Sequence, residues 1–221
     1  MKSALLLIFA LLFALLSHGQ NVTFDSLHFW KGNIFDFDWK LNEVSVNQNL
    51  SASSLIYFEA NWKEDVEFSC EVSLPFSPSN NNVFELLIST DSLFSVSNLI
   101  SLRIGESGVL DGLDIFQGND LKISNPNRNW GSGGTAIISI HYKKDSLMFF
   151  EKFEKDTIKR VGVLYLPNAL NYIGLNCKYT KSNATKFRFN NLYFGVQPID
   201  SIPPCIVSTD ITGKNEIELF F

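Results

Sequence analysis

The chain has 221 residues, with Lys+Arg 18 against Asp+Glu 23, a formal net charge of −5 and 20 Phe. The charges are scattered without blocks, so no basic face can neutralise phosphates, and nucleic acid is excluded as a partner. A mature chain of about two hundred residues holds one sizeable core and not two, and the low charged fraction with so much Phe implies extensive aromatic burial.

Met1–Gly19 opens with Lys2, runs through an apolar core from Ala4 to Leu16 and ends Ser17-His18-Gly19. This reads as a helical secretory signal peptide, cleaved before Gln20, because the apolar run is shorter than the roughly 20 residues of a membrane span. The expected location is secreted or cell-surface, with no membrane span after cleavage.

Asn21 to Leu27 suits a first edge strand. In Phe29 to Trp39, alternation predicts Phe35, Phe37 and Trp39 on one strand face and Asp36 and Asp38 on the other. Core filling is preferred there over a stacking platform for sugar rings. Strands follow at Leu41 to Leu50, Ser54 to Ala60, Val66 to Phe76 and Val83 to Thr90. The polar loop from Pro75 to Asn82 separates the last two.

Leu99 to Ile104 is a strand that stops at Gly105-Glu106-Ser107-Gly108, and Leu113 to Gln117 another. Glu106, Asp111 and Asp114 are calcium candidates between them. A tight turn is the preferred reading, because Ca²⁺ takes about 6 to 8 oxygens. The stretch Asn125 to Gly134 sets Trp130 in a Gly-rich polar loop, which makes Trp130, with Trp30, Arg128 and Asn129, the candidate ligand-binding set. A fold-back of Trp130 onto the sheet edge is the alternative. Thr135 to Tyr142 and Leu147 to Phe153 form a hairpin around Lys143 to Asp145, and Arg160 to Leu166 is a further strand.

The closing arms, Asn171 to Thr180 and Thr185 to Gly195, also alternate. Ile173, Leu175, Cys177 and Tyr179 share one face, and Phe187, Phe189 and Asn191 another. The four-residue connector Lys181-Ser-Asn-Ala184 predicts that the two arms pair with each other as an antiparallel hairpin. The fold class is therefore all-β, a two-sheet antiparallel jelly-roll sandwich over 20–196. Pro198, Pro203 and Pro204 mark a linker over 197–204. Cys205 to Val207 and Glu216 to Phe221 read as the first two strands of another domain over 205–221, with this tail poorly ordered or laid against the first domain.

Of the three cysteines, Cys70 and Cys177 each lie on an apolar strand face. Buried thiols are the preferred reading, and a Cys70 to Cys177 disulfide is the alternative that an oxidising compartment permits. Cys205 is left over. No metal-ligating spacing of Cys or His occurs, and no cofactor is expected.

Several stretches, taken in order, resemble one family. They are Trp30-Lys-Gly32, Ser77-Pro-Ser-Asn-Asn-Asn82, Arg103-Ile-Gly-Glu-Ser-Gly108, Gly174-Leu-Asn-Cys-Lys-Tyr-Thr180 and Phe187-Arg-Phe-Asn-Asn-Leu-Tyr193. The chain resembles the concanavalin A-like, laminin G-type module at the amino terminus of exported bacterial proteins with lamin-tail domains. Asp200-Ser-Ile-Pro-Pro204 is similar to the entry of the bacterial Ig-like domain that follows there. The final strand carries Asn190-Asn191 where the family tends to carry Asp-Asp, which puts a structural cation there in doubt.

The resemblance implies a non-catalytic carbohydrate-binding or adhesive module with a polysaccharide or cell-surface glycan as partner. The alternative is a spacer with no ligand of its own. A glycoside hydrolase is disfavoured. The laminarinase-like pattern Glu-x-Asp-x-x-Glu is absent, and the nearest pairs are Glu67 with Glu71 and Glu151 with Glu154. No nucleophile elbow or His-Glu-x-x-His occurs, so no catalytic residue is assigned. His28 and His141 are isolated, and His141 is expected to face solvent.

Overall fold

A computed structural model of the protein describes residues 29–60, 62, 65–105, 111–125, 129–166, 170–196, 208–213 and 216–220. The signal peptide Met1–Gly19, the strand expected at Asn21 to Leu27, Glu106, Arg128, the linker over 197–204 and Cys205 to Val207 lie outside the described residues.

The strands, in chain order, are β1 (Lys31–Gly32), β2 (Phe37–Lys40), β3 (Glu43–Val46), β4 (Ala52–Glu59), β5 (Val66–Leu74), β6 (Val83–Ser89), β7 (Leu99–Ile104), β8 (Asp114–Gln117), β9 (Asp120–Ile123), β10 (Gly134–Lys143), β11 (Ser146–Phe153), β12 (Lys159–Tyr165), β13 (Tyr172–Tyr179), β14 (Arg188–Val196), β15 (Ser208–Gly213) and β16 (Glu216–Phe220). They form two seven-stranded sheets. The first has the order β1-β4-β13-β6-β7-β8-β9, the second β12-β11-β10-β5-β14-β3-β2, and every pairing is antiparallel. β15 and β16 pair as a separate two-stranded hairpin.

The two faces pack because period-two alternation gives each strand one apolar side. Val66, Phe68, Cys70, Val72 and Leu74 are buried along β5, and Ile173, Leu175, Cys177 and Tyr179 along β13. The ring of Phe84 on the first sheet meets Phe189 on the second at 5.3 Å, so aromatic contacts join the layers. On one side the edge strands also meet, because Gly162 of β12 offers no Cβ where the side chain of Ile123 of β9 sits.

The closing arms are a correction. β13 and β14 do not pair with each other. β13 lies mid-sheet in the first layer between β4 and β6, and β14 lies in the second between β5 and β3. The intervening segment is an arch from one layer to the other, tightened by a 3-10 turn at Ala184–Lys186. Tyr179 and Phe187, at its two ends, are both buried and lie 6.1 Å apart. The apolar faces of the arms thus meet across the core instead of side by side.

Asn191 also departs from its expected face. A register shift between Asn190 and Tyr193, with Asn191 at φ +51°, turns Asn191 outward and brings Leu192 and Phe194 into the core. Phe35 is 93% exposed because Ile34–Asp36 is a 3-10 turn that breaks the alternation before β2. β9 was not expected, whereas the hairpin of β10 and β11 was. Its turn residues Lys144 and Asp145 have φ of 49° and 57°, the left-handed pair that a two-residue hairpin loop requires.

Candidate functional site

Trp130 is fully buried, which corrects its place as an exposed aromatic. Its 3-10 turn, Asn129–Ser132, folds back over the end of the sandwich, and the indole Nε1–H donates to Glu151 Oε1 at 2.7 Å. Asn125 Nδ2 donates to the other oxygen, Oε2, at 2.5 Å. Phe153 meets the indole edge-on at 5.1 Å. Gly133, at φ +79°, closes the turn where a Cβ would strike the carbonyls of Leu74 and Phe76.

Burial pushes the Glu151 carboxyl above the usual carboxylate range, and the two N–H donors pull it part of the way back. The arrangement satisfies an inward-facing carboxylate and an indole together, so it holds the loop in place. Asn129 is half-buried at the start of the same turn.

Trp30 is 4% exposed and packs on Trp39 at 5.7 Å and Phe58 at 5.0 Å, so it too belongs to the core. Asp111 and Asp114 are buried and serve the same end of the fold. The Asp111 carbonyl accepts from Trp130 N, and Asp114 Oδ1 accepts from Asn125 N. Among the described residues no group of three or more His, Cys, Asp or Glu is arranged to hold a metal ion. Cys70 and Cys177 are separate free thiols, both buried, and the disulfide alternative is not realised. They face the core from opposite sheets, and burial raises both thiols well above their ordinary range.

A different set of residues comes together on the outer face of the second sheet. The polar side of β5 presents Glu67, Ser69, Glu71 and Ser73, all half-buried. Across β10, Ser139 stands opposite Ser69 and His141 opposite Glu67. Across β14, Tyr193 stands opposite Ser69 and Asn190 opposite Glu71. On β11, Phe150 stands opposite Ser139. The middle row therefore runs Phe150, Ser139, Ser69, Tyr193. Half-buried Ser69 and buried Ser139, 3% exposed, are hydrogen-bonded at 3.3 Å in a floor between the two aromatic side chains.

Glu67 and Glu71 flank this floor along the strand, about 13 Å apart at Cα by the strand rise. His141 Nε2 lies 3.2 Å from Glu67 Oε1, and its ring stacks on Phe150 at 4.6 Å. With its side chain 27% exposed, His141 is a wall of this trough rather than a freely solvated group. Asn190 Nδ2 donates to Glu71 Oε1 at 3.2 Å. Burial, and secondarily the neighbouring Glu67, push the Tyr193 phenol above its usual range.

Among the described residues, the outer face of the first sheet is dominated by a ladder of side chains that pair with one another. Arg103 Nε donates to Glu85 Oε1 at 2.8 Å, Asn176 Nδ2 donates to Glu85 Oε2 at 2.7 Å, and the guanidinium lies 4.8 Å over Phe116. Beside this ladder Phe94, from the loop after β6, covers Gly174 and meets Tyr57 at 5.5 Å. That face is occupied by its own side chains.

No protein-family profile matches the sequence, and no curated protein does. Solved structures do match. The legume lectin-like domain from Entamoeba histolytica superposes with a TM-score of 0.52 at 13% identity, covering 75% of this chain and 87% of that one. The exoplasmic/lumenal domain of VIP36, in a Ca²⁺/Man2-bound form, gives 0.53 at 13% identity, covering 83% and 87%. A Bacillus licheniformis β-glucanase gives 0.51 at 8% identity, covering 76% and 92%. Lectin-like domains and a glucanase share the architecture, so likeness at these identities carries the fold and leaves chemistry to the site. The chain has the fold of the legume lectin-like, concanavalin A-like jelly-roll sandwiches.

Proposed function

We propose that the protein is a non-catalytic glycan-binding module of an exported or cell-surface protein, and that the glycan lies in the trough on the second sheet. The trough is the observation that carries this. A sugar ring needs a small floor to approach, a flat aromatic face for its apolar side and fixed polar groups for its hydroxyls. Ser69 with Ser139, Phe150 with Tyr193, and Glu67 with Glu71 and Asn190 supply these in turn.

Each carboxylate is tied across its own row, Glu67 to His141 and Glu71 to Asn190, which suits hydrogen bonding to a ligand. Glycosidic cleavage asks for two carboxylates roughly 5 to 9.5 Å apart. In this reading Met1–Gly19 directs export, and 197–204 links the sandwich to an Ig-like domain of a lamin-tail protein.

Burial of Trp130 and Trp30 favours a second reading, a spacer with no ligand, because the two aromatics first expected to stack on sugar are structural. Titration of the full chain against a panel of soluble polysaccharides separates the readings. Binding that disappears in Ser69→Trp, which fills the floor, is the expected result. A panel that gives no binding overturns the glycan reading in favour of the spacer. Release of new reducing ends by the wild type, lost in Glu67→Gln or Glu71→Gln, overturns it in favour of a hydrolase.

A further inference from the structure

Resting on the export part of that reading and not on the trough, we propose that Ser92 and Thr157 are attachment points for O-linked sugar, marked by the tripeptide Asp-Ser/Thr-Leu/Ile. The tripeptide occurs five times, at Asp25-Ser-Leu27, Asp91-Ser-Leu93, Asp145-Ser-Leu147, Asp156-Thr-Ile158 and Asp200-Ser-Ile202. Five of the 12 Asp are followed by Ser or Thr, and each of those pairs by Leu or Ile, where independent placement of these residue types predicts fewer than about one. The recurrence therefore asks for a cause.

Turn chemistry accounts for one copy. Asp145 sits in the turn between β10 and β11 at φ +57°, Ser146 Oγ donates to Lys144 O at 3.2 Å, and Leu147 is buried as β11 begins. It does not account for the aliphatic residue in two others. Leu93 is 86% exposed and Ile158 56% exposed, so neither fills the core, yet each follows an exposed hydroxyl residue and an aspartate. The loop that displays Ser92 is held in place, because Asp91 Oδ1 accepts from Leu93 N at 2.9 Å and Phe94 is buried beside it. Residues 154–160 are exposed throughout, with Thr157 near their centre. A tripeptide repeated in buried and exposed settings alike serves a reader outside the chain. Its carboxylate and its aliphatic side chain bracket the hydroxyl and give an enzyme one charge and one apolar knob to grip.

A chain folded outside the cytoplasm meets lipid-linked sugar donors rather than nucleoside triphosphates, so a glycosyl group is the modification that this compartment supplies. The hydroxyl oxygen bonds to the anomeric carbon of a lipid diphosphate-linked sugar, and the bond from that carbon to the phosphate oxygen breaks. The hydroxyl proton passes to a base on the transferase, and the lipid diphosphate leaves with the electron pair.

The test is peptide-resolved mass spectrometry of the full chain recovered from outside the cells of its source organism, beside the same chain made in a cytoplasm without export. Sugar increments on the peptides that carry Ser92 and Thr157, absent from the cytoplasmic form, and a bare Ser146 are the expected result. Ser92→Ala and Thr157→Ala are each expected to remove one increment. Asp156→Asn and Ile158→Lys leave the Thr157 hydroxyl in place on an exposed segment and are each expected to abolish its modification.

An exported chain bare at both positions overturns the proposal and leaves export standing, whereas a bare chain that is never exported overturns both. Sugar that persists on Thr157 in Asp156→Asn and Ile158→Lys makes exposure rather than the tripeptide the signal and overturns the proposal. Sugar confined to Asn49 or Asn183, which begin Asn-x-Ser/Thr triplets, overturns it as well. A phosphate increment in place of sugar overturns the assignment to a glycosyl group, and sugar on Ser146 overturns the selection of acceptors by exposure.

Discussion

Glu151 and Glu67 belong to the same sheet and lie on opposite faces of it. Glu151 points inward, 5% exposed, and meets an indole N–H and an amide. Glu67 points outward, its side chain 16% exposed, and meets an imidazole. Both sites combine a carboxylate, an amide and aromatic rings. One is closed over its own loop and the other faces outward from the sheet. Residue type alone therefore does not mark a binding site in this fold. The face of the strand matters as well, because it decides whether a carboxylate is enclosed by the core or left beside solvent.

The largest expected effect lies on the closed side. Trp130→Ala leaves a cavity at the end of the core and should cost about 3 to 5 kcal/mol in denaturant unfolding. A loss under about 1 kcal/mol would mean that the loop is not anchored as described.

The second test is the pH dependence of Glu151. Its carboxyl is raised by burial, so the folded state holds a proton that the unfolded state releases first. The contribution of Glu151 to stability should be greatest below the ordinary carboxylate range and fall as pH rises from there through the raised folded value. Against this background Glu151→Gln should flatten the profile, so that the wild type loses ground to the variant as pH rises. Parallel curves for the two proteins would break the contrast with Glu67.

On the open side the effects on stability should be small. Glu71→Gln keeps an acceptor for Asn190 and should change unfolding by less than about 0.5 kcal/mol, as surface substitutions do. A cost of several kcal/mol would make the trough a structural network like the one around Trp130. Of similarly small size is the coupling between His141 and Glu67. A double-mutant cycle should give about 0.2 to 1 kcal/mol, decreasing with salt, since both side chains retain contact with water.

The strands were largely legible because period-two alternation is a local signal. β7 falls at Leu99–Ile104 as its alternation predicts, and β5 ends two residues before Phe76, where Pro75 stops it. The pairing of β13 and β14 was not legible. A short polar connector reads alike whether it turns a hairpin or arches between layers, and only the mates of each strand, far away in sequence, decide. The trough was hidden for the same reason. Glu67, Ser69, Glu71 and Ser73 announce a polar face in the alternation of β5, but their neighbours Ser139, His141 and Tyr193 arrive through long-range register. Trp130 misled because a Gly-rich loop gives no local sign of the inward-facing Glu151 that captures its indole.

The arch between β13 and β14 also orders events in time. Until β13 is made, β4 and β6 have nothing to join them, and until β14 is made, β5 and β3 are likewise separate. Each layer thus stays in two halves while the chain grows, and the strands that unite them are the last of the sandwich to leave the ribosome. Such a polypeptide acquires its cooperative fold only near the end of synthesis, remaining open until then to chaperones or to threading through a narrow channel.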